Sequence, residues 1–247
     1  MIKDIEYLIK NLLFSESFLL QRRLRRSIEK NYEKELNIIQ RFSDRNKDAV
    51  DIGVYRGIYS YKLSQEFNHV HSFEPNLLIF PFLKKNLTKI IKNISLYNYA
   101  LSNLNGSTKL RIPIRSKAFF KSNYEELYRL GAASIHTNNT FDKFHSMKVE
   151  KKKLDDIILD KKIGFIKIDV EGHEKEVIEG AKNIIKKNRP VLLVEIEERH
   201  SKNKVNDTIN YINKFGYVSF YLSENKLLET KNLSNDDKIN NFIFISQ

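Results

Sequence analysis

Short apolar runs alternate along the chain with segments of helical period, and this alternation limits the folds that the chain can adopt. The runs "DAVDIG", "VHSFEP", "GFIKIDV" and "PVLLVEI" are apolar through most of their length, and helical segments such as "YSYKLSQEF" separate them. Strands with this pattern are typical of mostly parallel sheets whose two faces are covered by helices. The sequence therefore predicts an α/β fold built around one large sheet.

The segments that flank this alternation are of two kinds. Residues 1–46 carry apolar side chains at helical spacing, for example Ile5, Leu8 and Ile9, and residues 103–153 are irregular, with "NGSTKLRIPI" predicted as a hairpin or edge strand. No internal repeat or Pro/Gly/Ser-rich linker divides the chain. We therefore predict an N-terminal helical extension over residues 1–46 and a single domain over residues 47–247.

The composition of the chain indicates the cellular compartment in which it works. The chain contains no cysteine, which excludes disulfides and thiolate metal sites and fits a reducing compartment. No uninterrupted apolar run approaches the roughly 20 residues of a membrane-spanning helix, and the N-terminal segment lacks the small-residue cleavage site of a signal peptide. We therefore expect a cytoplasmic protein.

The formal net charge of +12 suggests an anionic partner such as nucleic acid, an anionic membrane face or a phosphorylated substrate. Lysine is abundant throughout the chain, however, and only "QRRLRRSIEK" is a dense basic patch. Because charge runs are usually solvated faces and no aromatics interleave with this one, we expect no nucleic acid. The N-terminal helices could still form a homodimer or contact a membrane surface, since they combine an apolar stripe with a basic end.

The residues that follow the predicted strands indicate a ligand site, because ligands bind beyond the carboxyl ends of parallel strands. In "DIGVYRG", Gly53 lies at a tight turn and Gly57 at the start of the next helix, although the spacing is not the three-glycine dinucleotide fingerprint. About twenty residues on, Glu74 could accept hydrogen bonds from both hydroxyls of a ribose. The alternatives are that the glycines only form a turn and that Glu74 caps the helix after it.

Six motifs in this order resemble the FkbM family of S-adenosylmethionine-dependent methyltransferases: "VDIGVYRGIYS", "FEPN", "YALSNLNGSTKL", "GAASI", "LDDI" and "FIKIDVEGHEKEVIEGA". The resemblance covers roughly Tyr32 to Glu198. It implies a Rossmann-like class I methyltransferase fold with a seven-stranded, mostly parallel sheet whose last strand is antiparallel. It also implies S-adenosylmethionine as the cofactor.

The same resemblance implies roles for the strand ends. Asp51, Gly53 and Gly57 would lie under the methionine part of the cofactor, Glu74 at its ribose, and residues 100–102 at its adenine edge. The predicted cofactor-binding set is Asp51, Gly53, Tyr55, Gly57, Tyr59, Ser60, Glu74, Pro75, Asn76, Ala100, Leu101, Ser102 and Asp169. The family commonly has Ala-Asn after the first glycine, where this chain has Val54, Tyr55 and Arg56, so the contacts of that Asn are not carried over.

The acidic run after "GFIKI" supplies the candidate catalytic residues Asp169, Glu171 and His173, and Glu195 follows the neighbouring strand. Asp169 could contact the acceptor or the amine of the cofactor, and His173 could be the base. The alternatives are that His173 packs at the helix start and that Glu171 and Glu174 stabilise the helix N-terminus. Magnesium held by Asp169, Glu171 and Glu195 is a further alternative, although no known ligand spacing supports it.

The resemblance implies an O-methyltransferase acting on a small molecule or glycan, with a sugar hydroxyl of surface polysaccharide or its nucleotide-linked precursor as the acceptor class. An RNA methyltransferase or nucleic-acid-binding protein using the basic surface is the alternative. A nicotinamide-dependent oxidoreductase would require the three-glycine fingerprint, which is absent. Four residues of the irregular segment could line the acceptor site: Arg111, Arg115, His136 and His145.

Overall fold

A computed structural model describes five parts of the chain, residues 14–114, 130–135, 143–196, 204–232 and 239–247. Its α-helices are α1 Glu16–Glu29, α2 Ile58–Glu66, α3 Phe80–Ile90, α4 Asp155–Ile158, α5 Glu174–Gly180, α6 Lys182–Asn188 and α7 Lys204–Asn213. Short 3₁₀ turns cover Lys34–Asn37, Ile39–Phe42, Leu130–Ala132 and Thr230–Asn232. The strands are β1 Asp48–Ile52, β2 Val70–Phe73, β3 Ile94–Tyr97, β4 Ala100–Leu101, β5 Gly106–Pro113, β6 Phe144–Lys152, β7 Ile163–Ile168, β8 Val191–Glu195, β9 Tyr217–Ser223, β10 Lys226–Glu229 and β11 Asn241–Ser246.

The large sheet has the strand order β10-β9-β11-β8-β7-β1-β2-β3. Its strands β3, β2, β1, β7 and β8 are parallel, and β11 runs antiparallel to both of its neighbours. The order reverses between β1 and β7, so the carboxyl ends of these two strands open a crevice of the kind in which α/β proteins bind ligands. The predicted fold class, with an antiparallel last strand, is confirmed.

The sheet has eight strands where the sequence predicts seven, and the additional strand is β10. It forms a hairpin with β9 across Glu224 and Asn225, whose φ angles of 47° and 63° are those of a two-residue turn matched to strand twist. The strand is only four residues long and its side chains alternate between exposed and half-buried. A strand so short and so exposed carries too weak an apolar pattern to be predicted.

A second, three-stranded sheet has the order β4-β6-β5. The predicted strand "ISLYNYALS" divides at Asn98 and Tyr99, so that β3 joins the large sheet and β4 the small one. The predicted edge strand is β5, and it pairs antiparallel with β6 along its whole length. The sequence did not predict β6, because lysines and other polar residues occupy most of its positions.

Side chains from both faces of the large sheet form the core. On one face, Ile166, Ile168 and Val194 pack against α5, α6 and α7 through residues such as Ile178 and Ile185. On the other face, Phe165, Leu193 and Ile243 pack against α2 and the 3₁₀ turns through Leu63 and Leu36. Each inner strand is therefore buried on both sides, which explains the continuous apolar runs of the sequence.

The predicted helix "EKEVIEGAKNIIKK" is divided into α5 and α6 at Ala181. Just before the break, a Cβ added to Gly180 would lie 2.1 Å from the carbonyl oxygen of Ser102. The absence of a side chain at Gly180 thus allows α5 to approach the chain that follows β4.

Helix α1 packs against the domain through Leu20 and Leu24, which contact a cluster that includes Leu83 and Leu87 of α3. The hydroxyl of Ser15 caps its N-terminus by accepting a hydrogen bond from the amide of Phe18 (3.2 Å). The predicted apolar positions Ile5, Leu8 and Ile9 lie outside the described residues, and the domain boundary at residues 46 and 47 remains a prediction. None of the helices within the described ranges is both long and apolar enough to cross a membrane.

We predict that Leu24→Ala lowers the free energy of unfolding by about 2–5 kcal/mol, because a fully buried leucine leaves a cavity when it is truncated. Urea denaturation followed by circular dichroism measures this change. The matched control is Leu77→Ala at an exposed leucine, for which we expect a change within about 0.5 kcal/mol. Equal small losses in both variants would contradict the packing of α1 on the domain.

Candidate functional site

The carboxyl ends of β1 and β7 meet at Gly53. A Cβ added to Gly53 would lie 1.9 Å from the carbonyl oxygen of Asp169, and the φ of Gly53 is +86°. Only glycine satisfies both conditions, because the contact is with backbone and the conformation is left-handed. This close approach holds the turn after β1 beside the acidic run after β7.

A cleft opens at this edge of the sheet, with about 580 Å³ of empty space, part of which is open to solvent. Its floor and sides come from three places: the ends of β1, β2 and β7, the inner face of the small sheet, and residues 130–135. The lining is formed by Ile52, Gly53, Tyr55, Phe73, Glu74, Pro75, Tyr99, Ala100, Leu101, Leu110, Gly131, Ala133, Ile135, Asp169, Val170 and Glu171. It is mostly apolar with a few carboxylates, as is usual for small-molecule sites.

Glu74 is the buried carboxylate of this cleft. One oxygen accepts a hydrogen bond from the amide of Tyr55 and the other from the amide of Asn76, each at 2.9 Å. Burial raises the pKa of Glu74 to about 7, although these two amides oppose the shift. The carboxylate is therefore fixed in position by the backbone and close to half ionised at neutral pH.

Asp51 lies fully buried below the turn after β1. Its Oδ2 accepts a hydrogen bond from Ser60 (2.5 Å), whose hydroxyl also contacts Ser72 (2.9 Å). Burial raises the pKa of Asp51 to about 6, and the positive charge of Lys167 limits the shift. Its Oδ1 has no hydrogen-bond partner in the described parts of the chain, so one buried acceptor atom beside the turn remains unsatisfied.

Lys167 is the buried cation among these carboxylates. Its Nζ donates to Asp169 Oδ2 at 2.9 Å, lies 3.5 Å from the carbonyl oxygen of Gly53, and is 4.8 Å from the centre of the Tyr59 ring. Burial alone would lower the pKa of Lys167, but the negative charges of Asp169 and Asp51 raise it overall. Lys167 therefore stays charged and joins the ends of β1 and β7 electrostatically.

Two residues that line the cleft have left-handed backbone, Tyr55 at φ 47° and Glu171 at φ 53°. Residues 130–135 contact both of them. The Ser134 hydroxyl donates to the carbonyl oxygen of Glu171 (2.7 Å), and a Cβ on Gly131 would lie 3.0 Å from the Tyr55 ring. The "GAASI" segment thus contacts both of the residues whose backbone is strained.

His173 and Glu174 lie at the start of α5. The Nε2 of His173 is 2.9 Å from the hydroxyl of Ser102, and its Nδ1 is 3.6 Å from Glu176. The buried Glu174 accepts a hydrogen bond from the amide of Gly172 (2.6 Å). These contacts are those expected if His173 packs at the start of the helix, which was the alternative to its being the base. The contact with Ser102 joins α5 to the chain after β4.

The structure brings half of the predicted site residues to the cleft wall: Gly53, Tyr55, Glu74, Pro75, Ala100, Leu101, Asp169 and Glu171. The others are not part of the lining: Asp51, Gly57, Tyr59, Ser60, Asn76, Ser102, His173 and Glu195. Asn76 nevertheless supports the wall, because its amide donates a hydrogen bond to Glu74. Burial and the nearby Glu33 raise the pKa of Tyr59, which lies behind the wall beside Lys167.

Sequence reasoning missed the apolar part of the lining, namely Ile52, Phe73, Tyr99, Leu110, Gly131, Ala133, Ile135 and Val170. All eight lie inside the six quoted motifs, so the signal was present, but it did not assign these residues to the site. Of the residues considered for an acceptor site, Arg111 and His145 lie on the small sheet, where the Arg111 guanidinium is 5.3 Å from the Phe144 ring centre. Arg115 and His136 fall outside the described residues.

The carboxylates considered for magnesium do not form a metal site in the described parts of the chain. No group of three or more His, Asp or Glu side chains there has the proximity needed to hold a metal ion.

A Rossmann-like sheet of this order, with its cleft at the carboxyl edge, is the fold of class I methyltransferases. Among solved structures, an FkbM methyltransferase from Methylobacillus flagellatus KT is similar, with a TM-score of 0.51, 18% sequence identity and 81% of this chain covered. The chain spans only 44% of the length of that protein.

A family model of the methyltransferase FkbM domain matches residues 51–219. Since the match covers more than half of the sequence, the chain belongs to the FkbM methyltransferase family. No curated protein matches it.

Two further solved structures are similar over most of the chain. One is an rRNA methylase from Streptococcus thermophilus, with a TM-score of 0.48, 11% identity, and 87% of this chain and 95% of that chain covered. The other is a SAM-dependent O-methyltransferase from Thermotoga maritima, with a TM-score of 0.44, 11% identity, and 91% of this chain and 71% of that chain covered.

We predict that Gly53→Ala destabilises the protein more than Gly57→Ala does. At Gly57 a Cβ would meet the flexible side chain of Leu87, so the main cost is the left-handed backbone, about 1–3 kcal/mol. At Gly53 the same cost is added to a clash with the Asp169 carbonyl, which can be relieved only by separating β1 from β7. Urea unfolding of the two variants gives the comparison, and equal losses would contradict this account.

Proposed function

We propose that the protein transfers a methyl group from S-adenosylmethionine to a hydroxyl of a small molecule or glycan, with a sugar as the acceptor class. The observation that carries the donor assignment is Glu74, a buried carboxylate that faces the cleft and is held by two backbone amides. A carboxylate at the end of the second strand is placed to accept hydrogen bonds from the two hydroxyls of a ribose.

The charges around the cleft support a cationic ligand. Asp51, Glu74 and Asp169 lie near one another, and among the described residues one buried cation, Lys167, opposes them. S-adenosylmethionine carries an ammonium and a sulfonium, so it would relieve the repulsion among these carboxylates. The unsatisfied Oδ1 of Asp51 would gain a compensating charge below the turn at Gly53.

The cofactor supplies an electrophilic methyl group, and the protein must place the acceptor oxygen and accept its proton. We assign this role to Asp169, which lines the cleft and is oriented by its ion pair with Lys167. A positioned acid or base of this kind contributes about 10²–10⁴-fold. His173 is held against Ser102 behind the wall, so we assign it a supporting role in the proposed site.

Glu74 makes donor binding dependent on pH. Its pKa of about 7 in the free protein means that a ligand which donates hydrogen bonds to the ionised form binds more weakly as pH falls. From about pH 8 to about pH 6.5 we expect the Kd of S-adenosylmethionine to rise about fourfold. Calorimetric titration measures it, and in Glu74→Gln we expect weaker binding that varies far less over this range, since Asp51 has a lower pKa of about 6.

Glu150→Gln is the matched control, because Glu150 is an exposed glutamate of the small sheet. It should bind S-adenosylmethionine like the unmodified protein at each pH. The donor assignment would be wrong if the unmodified protein failed to bind S-adenosylmethionine, or if Glu74→Gln bound it as tightly and with the same pH dependence.

We predict that Asp169→Asn lowers methyl transfer about 10²–10⁴-fold while changing donor affinity far less. The assay uses methyl-labelled S-adenosylmethionine with a panel of nucleotide-linked sugars, free glycosides and total RNA. Label on a sugar that resists mild alkali identifies a methyl ether, whereas alkali releases a methyl ester. His173→Gln, with its smaller expected loss, is the comparison variant.

Label that appears on RNA and not on any sugar would overturn the acceptor class. Equal losses in Asp169→Asn and His173→Gln would overturn the assignment of proton acceptance to Asp169. Thermal unfolding of both variants must accompany the assay, since removing the charge of Asp169 leaves Lys167 buried without its nearest partner.

A further inference from the structure

The outer face of α1 is a surface that the cleft does not use. Phe14 and Phe18 are 41% and 47% exposed, and their rings stack with centroids 5.0 Å apart and an interplanar angle of 18°. Four arginines, Arg22, Arg23, Arg25 and Arg26, are exposed on the turns that follow. We call the face formed by Phe14, Phe18 and these four arginines the α1 outer face.

The aromatic and basic parts of this face are aligned. Phe18, Arg22 and Arg26 are four residues apart, so their side chains form one stripe along the helix. Leu20 and Leu24, which are 6% and 3% exposed, lie on the opposite side and pack against α3. The packing of α1 therefore buries Leu20 and Leu24 and leaves an aromatic pair and a row of arginines facing solvent.

Among the described residues, the acidic neighbours of this face leave it with a net positive charge. Glu16 is already paired with Lys85 of α3 at 2.8 Å, and Glu29 attracts Arg25 and so offsets part of the charge. Arg25 is oriented by a hydrogen bond from its Nε to the hydroxyl of Tyr61 on α2 (3.2 Å). These contacts fix α1 to the domain while four positive charges remain on the surface.

We propose that the α1 outer face binds the surface of an anionic lipid bilayer. Aromatic rings enter the headgroup region of a bilayer, and basic side chains beside them meet lipid phosphates. The α1 outer face can make both interactions. Its two stacked phenylalanine rings lie at one end, and its arginines follow over two turns of the helix. The bilayer would hold the methyltransferase domain through a helix that is packed rigidly on it.

Two other occupants fit less well. Single-stranded nucleic acid binds where bases can stack between basic residues, but here the two rings cover each other and lie at one end of the arginine row. A second copy of the chain would bring two rows of arginines together, and like charges repel. Charge complementarity therefore favours the anionic bilayer.

Co-sedimentation with lipid vesicles tests the proposal on the full-length protein. We expect binding to vesicles of phosphatidylglycerol and phosphatidylcholine at low salt, with much less binding to phosphatidylcholine alone and at high salt. Each arginine near an anionic surface contributes about fivefold, so Arg22→Gln with Arg26→Gln should weaken the partition roughly 25-fold. Phe14→Ser with Phe18→Ser should weaken it at both salt concentrations.

Two matched controls remove equivalent groups elsewhere. Lys182→Gln with Lys186→Gln deletes two exposed charges one turn apart on α6, and Phe144→Ser with Leu159→Ser deletes two exposed apolar side chains. Both should bind vesicles like the unmodified protein. Circular dichroism and S-adenosylmethionine titration of all variants distinguish loss of the surface from loss of the fold or of the donor site.

Three results would overturn the proposal. The unmodified protein could fail to bind anionic vesicles at low salt, or the α6 control could lose as much binding as the arginine variant. The third is that the phenylalanine variant binds vesicles as strongly as the unmodified protein. Analytical ultracentrifugation that shows a dimer abolished by the phenylalanine variants, with vesicle binding unaffected, would assign the face to a second copy. RNA binding that competes with vesicles and is lost in the phenylalanine variants would assign it to nucleic acid.

Discussion

The contact between Gly53 and the carbonyl of Asp169 is the constraint on which the rest of the site depends. It brings the ends of β1 and β7 closer than any side chain at position 53 would allow. Lys167 reinforces the contact, since its ammonium lies near both the Gly53 carbonyl and the Asp169 carboxylate. The cleft exists because these two strand ends are held together while the small sheet and residues 130–135 form its remaining walls.

Burial of carboxylates around this contact has a cost in the unliganded protein. Burial raises the pKa of both Asp51 and Glu74, which means that their ionised forms are disfavoured there. Two backbone amides at Glu74 and a serine at Asp51 offset only part of this cost. A cationic ligand with hydroxyl groups would offset the remainder, so the arrangement is better suited to a ligand than to stability alone.

Sequence reasoning placed the carboxylates Glu74 and Asp169 in the site and left out most of its apolar lining, and the two outcomes have one cause. Glu74 and Asp169 follow apolar runs that can be recognised from a few residues, so their place at the sheet edge was predictable. Leu110, Tyr99 and Ile135 reach the cleft through the small sheet and the residues after β5, whose strand β6 has little apolar periodicity. His173 and Ser102 are 71 residues apart, and nothing in either motif indicates their contact.

The sequence by itself determined the alternation of strands and helices, the parallel inner sheet, the glycine turn at Gly53 and the acidic strand ends. These features depend on apolar periodicity and on local backbone requirements, both of which act over a few residues. Only the tertiary structure decided which of the acidic residues face the cleft, that Lys167 lies among them, and that Phe14 and Phe18 remain exposed. Those outcomes depend on how segments that are distant in sequence pack together, because this packing decides which side chains are in contact and which are exposed to solvent. No local sequence pattern contains that information.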